Sequence, residues 1–563
     1  MKLRVYLRFV CLCLALAPAW AYSNDLLTNT LGALKDSRTV ALAGVPLLSG
    51  RLLADFYAQR GGALVWTDPA RVRALLALVE ASESDGFSPS DFHAETLKAM
   101  SAKGALTALG DSERIAMDIL LSDALLRYVH HTRYGKVDPV ILDPKWNDRA
   151  PVPAETLISE MSGALDAESM GDFLTSRLQE PFWYRDLKQS LASYLAKAHL
   201  KDLPPLPAGR LLAQGDRDPR VGMVRERLRL LGVDSLAEPL DPTQFDSDLR
   251  QAVMDFQRRQ RLSHDGVVGP ATIAALNSPF DEKKLDQIRI NLERMRWLYA
   301  DLPADYLFVD VADYQVRLIR AGEIRWTTRV VVGTADAQTP MFRDSMEHLV
   351  FNPTWTVPVS IQKAMGRVSA RYTLVDRRTG RKISGGDASN YKRYRVVQQP
   401  GPKNALGRVK FMFPNRHAVY LHDTPSKSLF GRSRRALSHG CVRVQNPEQL
   451  AELLLQGSSW DRAAIDRVIG TNRTRYVNLD QKLPVLLYYL TAYADVSGVH
   501  FRPDVYGRDQ ALRDAFLGGP SLNVRIAFPE PDDATNTKVS PVNPSDGEDE
   551  VSPNGVRLTR SEG

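Results

Sequence analysis

Cysteine is almost missing from this chain: there are three in 563 residues, and Cys11 and Cys13 fall within the first fifteen. Both lie in "MKLRVYLRFVCLCLALAPAWA". There Lys2, Arg4 and Arg8 precede a short apolar run, and Ala19-Trp20-Ala21 offers small residues at a cleavage point, so residues 1–21 read as a secretory signal peptide. The run from Phe9 to Ala21 contains Pro18 and is too short for a bilayer span, which argues against an uncleaved anchor. Lipid modification of Cys11 or Cys13 is disfavoured because both sit inside the run. Cleavage would leave Cys441 alone, with no partner for an internal bridge in a compartment where disulfides form readily. A lone cysteine is either a small buried hydrophobe or a reactive thiol.

Other absences narrow the function. No later run is long and apolar enough to span a membrane. The mature chain has no His-Glu-x-x-His and no paired-cysteine spacing, so no metal site is expected. His130 and His131 are adjacent and should point to different faces of a helix, which argues against joint metal ligation. No nucleic-acid module is recognisable. The net charge of +7 divides unevenly: the leader holds +3, and residues 529–563 hold eight acids against three bases. That tail, rich in Pro, Ser, Asp, Asn and Glu, reads as disordered. Residues 22–528 therefore carry about +9, a weak attraction for an acidic polymer or a membrane surface.

What is present divides by periodicity. Residues 41–203 show mostly helical spacing, as in "ARVRALLALVEA" and "ERIAMDILLSDALLRYVHHTRYG". "DLPPLPAG" follows as a linker. A compact unit over 212–278 then places Val221, Val224, Leu228 and Leu231 on one helical face, and Leu249, Val253 and Phe256 on a second. An Asp265-Gly266 turn leads to a third helix opened by Pro270. From about residue 304 the pattern alternates: "YLFVDV", "QVRLIRAGEIRWTTRVVVG", "HLVFNPTWTV", "RVKFMF" and "AVYLH" are short strand-like runs. A polar stretch at about 361–397 interrupts them as an insertion. The fold class expected is α+β multidomain: a helical N-terminal scaffold and a three-helix module, then a mostly β domain over 304–528 with a capping insertion.

The chemistry centres on "RALSHGCVRV". A thiol that attacks a carbonyl needs a base or a depressed pKa. His422, nineteen residues upstream in "VYLHDTP", is one candidate base and His439, two residues before Cys441, is another. Gly440 allows close backbone approach and an N–H aimed at an oxyanion.

Two resemblances follow. The unit from Asp216 to Asn277 resembles the peptidoglycan-binding domain type 1, which implies wall binding, although such helices also serve as spacers. "LHDTP" followed by "SHGCVRV" resembles the active-site signature of the L,D-transpeptidases, most closely the large members with a helical scaffold, a wall-binding module and a capped catalytic domain. The resemblance implies Cys441 as nucleophile and His422 as general base, oriented by Asp423 through its backbone carbonyl. It implies an oxyanion hole from the N–H groups of His439, Gly440 and Cys441, with Arg443 and Ser438 as substrate-side residues. For Arg443, substrate contact and pairing with a carboxylate stand equally open, and Ser438 also fits a turn-bonding role. The implied reaction attacks the L,D bond of a peptidoglycan tetrapeptide stem, releases D-alanine, and passes the acyl group to the diamino acid of a second stem as a 3→3 cross-link. No cofactor or metal is implied. Periplasmic location, other wall-synthesis enzymes as neighbours and acylation by carbapenems are expected. Rival readings are an L,D-carboxypeptidase using water, attachment of a protein or D-amino acid, a non-catalytic wall-binding scaffold, and a serine enzyme built on Ser389-x-x-Lys392.

Overall fold

The computed structural model describes residues 19–528 apart from 37–39, 48, 104–108, 145, 147–149, 179, 234–235, 261, 279, 300, 496–497 and 519–525. The signal-peptide reading falls almost entirely outside these residues, and the acidic-tail reading wholly outside them.

The N-terminal half is helical, as the spacing predicts, and is organised around the helix Asp111–Tyr134. Its apolar residues are not confined to one stripe, and it is buried on every side from Met117 to Thr132. A helix without a solvent face must pair the polar groups it carries. Asp123 accepts from Arg127 at 2.6 Å and contacts His93 at 2.6 Å, and Asp118 accepts from the Trp66 N–H at 2.9 Å and the Tyr57 hydroxyl at 2.5 Å. His130 and His131 are both buried here, and their Nδ1 atoms lie 3.2 Å apart. Neighbours on a helix do not face one another by spacing alone; here enclosure on all sides folds the two rings together.

The three-helix module comprises Arg220–Leu230, Ser247–Arg259 and Pro270–Leu276. Val221, Val224, Leu228, Leu249, Val253 and Phe256 form its separate core, as their spacing predicts. Its two ends meet: Asn277 accepts from the Leu206 N–H at 2.6 Å and donates to the Leu206 carbonyl at 3.0 Å. The module thus leaves the body and returns at one point. On either side, helices Phe182–Leu195 and Glu282–Tyr299 pack on each other and on the paired strands Ala492–Asp495 and Gly498–Phe501, joining the scaffold to the β domain. Arg294, on the second of these helices, bonds Asp509 at 2.7 Å, and Glu293 accepts from the Val137 N–H at 2.7 Å. The helix Asp509–Leu517 adds Leu512 and Phe516 to the scaffold core.

Nine strands build the large sheet of the β domain among the described residues: β1 (Tyr306–Asp310), β2 (Gln315–Arg320), β3 (Glu323–Gly333), β4 (Phe342–Phe351), β5 (Val409–Met412), β6 (Leu421–His422), β7 (Ala436–Ser438), β8 (Val442–Val444) and β9 (Arg475–Tyr488). Their order is β7-β3-β8-β6-β5-β4-β9-β1-β2, and β2 pairs back onto β3, closing eight of them into a barrel. The β2–β3 turn uses Ala321 and Gly322 with φ of 52° and 77°, the double positive φ of a tight hairpin. Alternate residues such as Val309, Val316, Leu349, Phe411, Leu421 and Val442 fill the barrel, so their neighbours in sequence face outward.

The insertion is a small sheet in its own right rather than an irregular polar stretch. Strands Trp355–Thr356, Arg367–Asp376, Lys382–Asp387 and Tyr394–Gln398 pair with one another. The sheet therefore extends to both sides of residues 361–397. Its core is Val357, Leu374, Ala388 and Val396, few enough residues that the polar composition hides them. Ser389 and Lys392 lie exposed on this cap.

Candidate active site

Register decides which side chains meet. On parallel strands β6 and β8, Leu421 pairs with Val442 and His422 with Arg443. One step back, Tyr420 stands beside Cys441. On the other side of β6, Lys410 of β5 pairs with His422. Leu421 and Val442 point into the barrel, so Tyr420, His422, Cys441, Arg443 and Lys410 share the opposite face. His422 and Cys441 are diagonal neighbours, a separation of about 7–8 Å between backbones, and no hydrogen bond joins them in this conformation. The other candidate, His439, is exposed at the turn.

His422 is buried, and its Nδ1 lies 2.5 Å from the Asp423 carbonyl. A carbonyl only accepts, so Nδ1 carries the proton and Nε2 keeps its lone pair. The Asp423 carboxylate faces away from the ring and is fully engaged: it accepts from the Arg408 N–H at 2.8 Å, the Thr424 N–H at 2.6 Å and Lys427 Nζ at 2.5 Å. Asp423 thus supplies a backbone atom to the histidine and uses its side chain to hold the segment in place.

Burial first, then the charges of Arg443 and Lys410, push His422 down to about 3, against the upward pull of its bond to Asp423. Burial pushes the Cys441 thiol up, against the opposing effects of Tyr420, Lys410 and Arg443. The resting pair is therefore neutral thiol and neutral imidazole, not thiolate and imidazolium. The Cys441 sulfur lies 3.9 Å from the Ala418 carbonyl, and the Tyr420 hydroxyl hydrogen-bonds toward it. Tyr420 also meets the Trp355 side chain, so the cap reaches the rim of the site.

The turn before the cysteine is held from two sides. The Ser438 hydroxyl donates to the Cys441 carbonyl at 2.6 Å, and Thr339 Oγ1 donates to the Gly440 carbonyl at 2.8 Å. Gly440 has φ of 113°, open to glycine and strained for other residues. The Gly440 N–H, placed in the oxyanion hole by resemblance, is turned onto Ser438 Oγ at 3.1 Å, because a serine two residues ahead bridges the turn. Arg443 has no carboxylate partner among the described residues, and its Nε is buried without a hydrogen bond.

Sequence reading missed Lys410, Tyr420, Trp355 and Thr339. The alternation of "VYLHD" places Tyr420 on the face of His422, a signal open to inspection. Lys410, Trp355 and Thr339 reach the site through pairings no local pattern encodes. Among the described residues there is no cluster of three or more metal-ligating side chains, and no helix long and apolar enough to cross a membrane.

Comparison with known proteins divides the chain as the architecture does. Residues 51–191 match the Scaffold domain model, residues 217–276 a model described as "Putative peptidoglycan binding domain", and residues 304–469 the L,D-transpeptidase catalytic domain model. A Haemophilus influenzae protein described as "Putative L,D-transpeptidase" is 26% identical over 477 residues, covering 82% of this chain and 78% of that protein. Solved relatives include an L,D-transpeptidase from Xylanimonas cellulosilytica, 19% identical, covering 50% of this chain and 99% of that one at a TM-score of 0.16. Another, from Stackebrandtia nassauensis, is 13% identical, covering 51% of this chain and 97% of that one, also at 0.16.

Proposed function

The chain belongs to the L,D-transpeptidase family, and from that premise we propose that it cross-links peptidoglycan in the periplasm through an acyl-thioester on Cys441. The observation that carries this reading is the fixed tautomer of His422: Nδ1–H is held by Asp423, leaving an unprotonated Nε2 on the sheet face of the cysteine.

In the proposed reaction, binding of a tetrapeptide stem closes the diagonal gap between thiol and imidazole. Nε2 takes the thiol proton as sulfur attacks the carbonyl of the L,D bond, and N–H groups of the turn receive the oxyanion. Collapse breaks the C–N bond. The D-alanine amine takes the proton from His422 and leaves, and the acyl group remains as a thioester. The side-chain amine of a second stem then attacks; its proton passes through His422, and the thiol is regenerated as the 3→3 amide forms. The neutral resting pair suits this order, because the thiolate arises only with substrate in place. Carbapenems acylate Cys441 by the same first step, and the three-helix module holds the enzyme on the wall.

The test is intact-protein mass after incubation with a disaccharide-tetrapeptide, followed by analysis of the muropeptides formed. The expected results are an adduct on Cys441 that the Cys441→Ala variant lacks, and 3→3 dimers. Tripeptide alone would make the enzyme a carboxypeptidase, and an adduct persisting in the alanine variant would overturn the cysteine mechanism.

A further inference from the structure

We propose that Lys410 and Arg443 together seat the C-terminal carboxylate of the donor stem, the carboxylate of the residue released when Cys441 is acylated. The proposal rests on the transpeptidase reading above and deepens it by assigning the group that makes a tetrapeptide the donor.

Three observations carry it. The first is placement. Lys410, His422 and Arg443 form one row across β5, β6 and β8, and Cys441 and Tyr420 form the adjacent row on the same face. Lys410 Nζ lies 3.8 Å from the centre of the Tyr420 ring, whose hydroxyl bonds toward the cysteine. Both cations therefore flank the sulfur.

The second is missing compensation. Neither Lys410 nor Arg443 has an ion pair among the described residues, and Arg443 Nε is buried without any hydrogen-bond partner. Desolvation lowers the pKa of each. Other desolvated cations are held: Lys136 pairs with Asp91 at 2.7 Å, Arg127 with Asp123 at 2.6 Å and Arg294 with Asp509 at 2.7 Å, and Arg227 and Arg435 donate to backbone carbonyls. Asp423, close in sequence to this row, commits its carboxylate to Arg408, Thr424 and Lys427. Lys410 rests on an aromatic ring and neither cation has an anion, so the pair gains from a ligand anion that completes it.

The third is charge distribution. Residues 353–450, which hold the cap and the whole catalytic row, contain nineteen Lys and Arg against four Asp and Glu. The rest of residues 22–528 has more acids than bases. The positive charge is thus concentrated in the segment that carries the cap and the cysteine, and it favours the approach of anionic stems.

The substrate fits this seat by its covalent geometry. When the scissile bond joins a stem to its last residue, the terminal carboxylate lies only about 3–4 Å from the attacked carbonyl carbon. A cation beside the sulfur meets it directly. An amidated or extended stem would put a neutral group there and leave both cations bare, the kind of mismatch that gives strong discrimination.

The experiment compares two disaccharide-tetrapeptide donors that differ only at the C-terminus, one a carboxylate and one a carboxamide, with the side carboxylates free in both. The full chain is used, and acylation of Cys441 is followed by intact mass. Wild type is expected to prefer the carboxylate donor by about 100-fold in kcat/KM. Lys410→Met and Arg443→Met should each cut that preference at least fivefold, the double variant should nearly abolish it, and Lys410→Arg should retain most of it. A single cooperative melt at or above the wild-type temperature establishes that each variant is folded, and alkylation of Cys441 by iodoacetamide should slow, because both cations favour the thiolate. A wild type that does not discriminate, or a double variant that keeps the full preference, overturns the proposal. Preference that survives in the double variant but vanishes on amidating the side carboxylates would assign the recognition to those groups instead, which also overturns it. Absence of any Cys441 adduct with either donor removes the transpeptidase reading itself, and this inference with it.

Discussion

The carboxylate of Asp423 occupies the space that a side chain on residue 407 would need: a Cβ built on Gly407 collides with Asp423 Oδ2, Cγ and Cβ. Gly407 also has φ of +60°. Two requirements, room for a buried carboxylate and a left-handed backbone, converge on this glycine. Gly407→Ala should therefore displace Asp423, and with it the carbonyl that fixes His422. We expect a loss of about 2–4 kcal/mol in stability and at least a tenfold loss in acylation rate, read by thermal melting and intact-mass kinetics. Asp423→Asn keeps the backbone carbonyl and should cost activity less than Gly407→Ala.

The site's protonation predicts a particular pH dependence. His422 is held down to about 3 and the Cys441 thiol is raised, so both stay neutral across the ordinary range. Alkylation of Cys441 by iodoacetamide should rise with pH and show no plateau near neutrality, as an ion-paired thiolate would. The stability linkage has a definite sign. A histidine whose folded pKa lies below its unfolded value of about 6.5 favours folding fully above that value. The contribution falls as pH drops from about 6.5 toward 3, by up to about 1.4 kcal/mol per unit. His422→Asn should flatten that part of the stability–pH curve, and a curve of unchanged slope would contradict the assignment.

Lys136 ties the scaffold to the C-terminal part of the chain. It is 1% exposed, bonds Asp91 at 2.7 Å and donates to the Phe516 carbonyl at 2.5 Å. Lys136→Met strands a buried carboxylate and should destabilise the protein by about 3–5 kcal/mol. Adding Asp91→Asn should recover part of that loss, because the stranded charge is removed; a double-mutant cycle on thermal or urea melts measures the coupling.

The paired bonds between Leu206 and Asn277 bring the entry and exit of the three-helix module together. Replacing residues 207–276 with a short Gly-Ser linker should leave the melting of the remainder within about 1 kcal/mol, since the module's core is its own. Co-sedimentation with purified sacculi should fall at least fivefold. Unaltered co-sedimentation would make the module a spacer.

Much of this was legible in advance because its causes are local. The switch from helical to alternating periodicity near residue 304 and the three short helices of the module depend on residues close in sequence. The cap shows in the sequence as a polar capping insertion at about 361–397, but its strands do not, since its core of Val357, Leu374, Ala388 and Val396 is too sparse to mark them. The adjacent histidines were expected apart because helix geometry separates them, yet burial of the entire helix brings them into contact.

The residues proposed to bear the chemistry, Cys441, His422 and the glycine turn between Ser438 and Cys441, are picked out by the sequence alone, because side-chain type sets what an atom can do and the spacing of the motif is covalent. Which of their neighbours act with them was decided by the barrel. Pairing of β5, β6 and β8 puts Lys410, His422 and Arg443 in one row, and a register shift of a single residue would turn the whole row into the core. That register is set by the burial of Leu421, Val442 and Phe411 on the other face, a condition no single segment can impose and only the closed sheet satisfies.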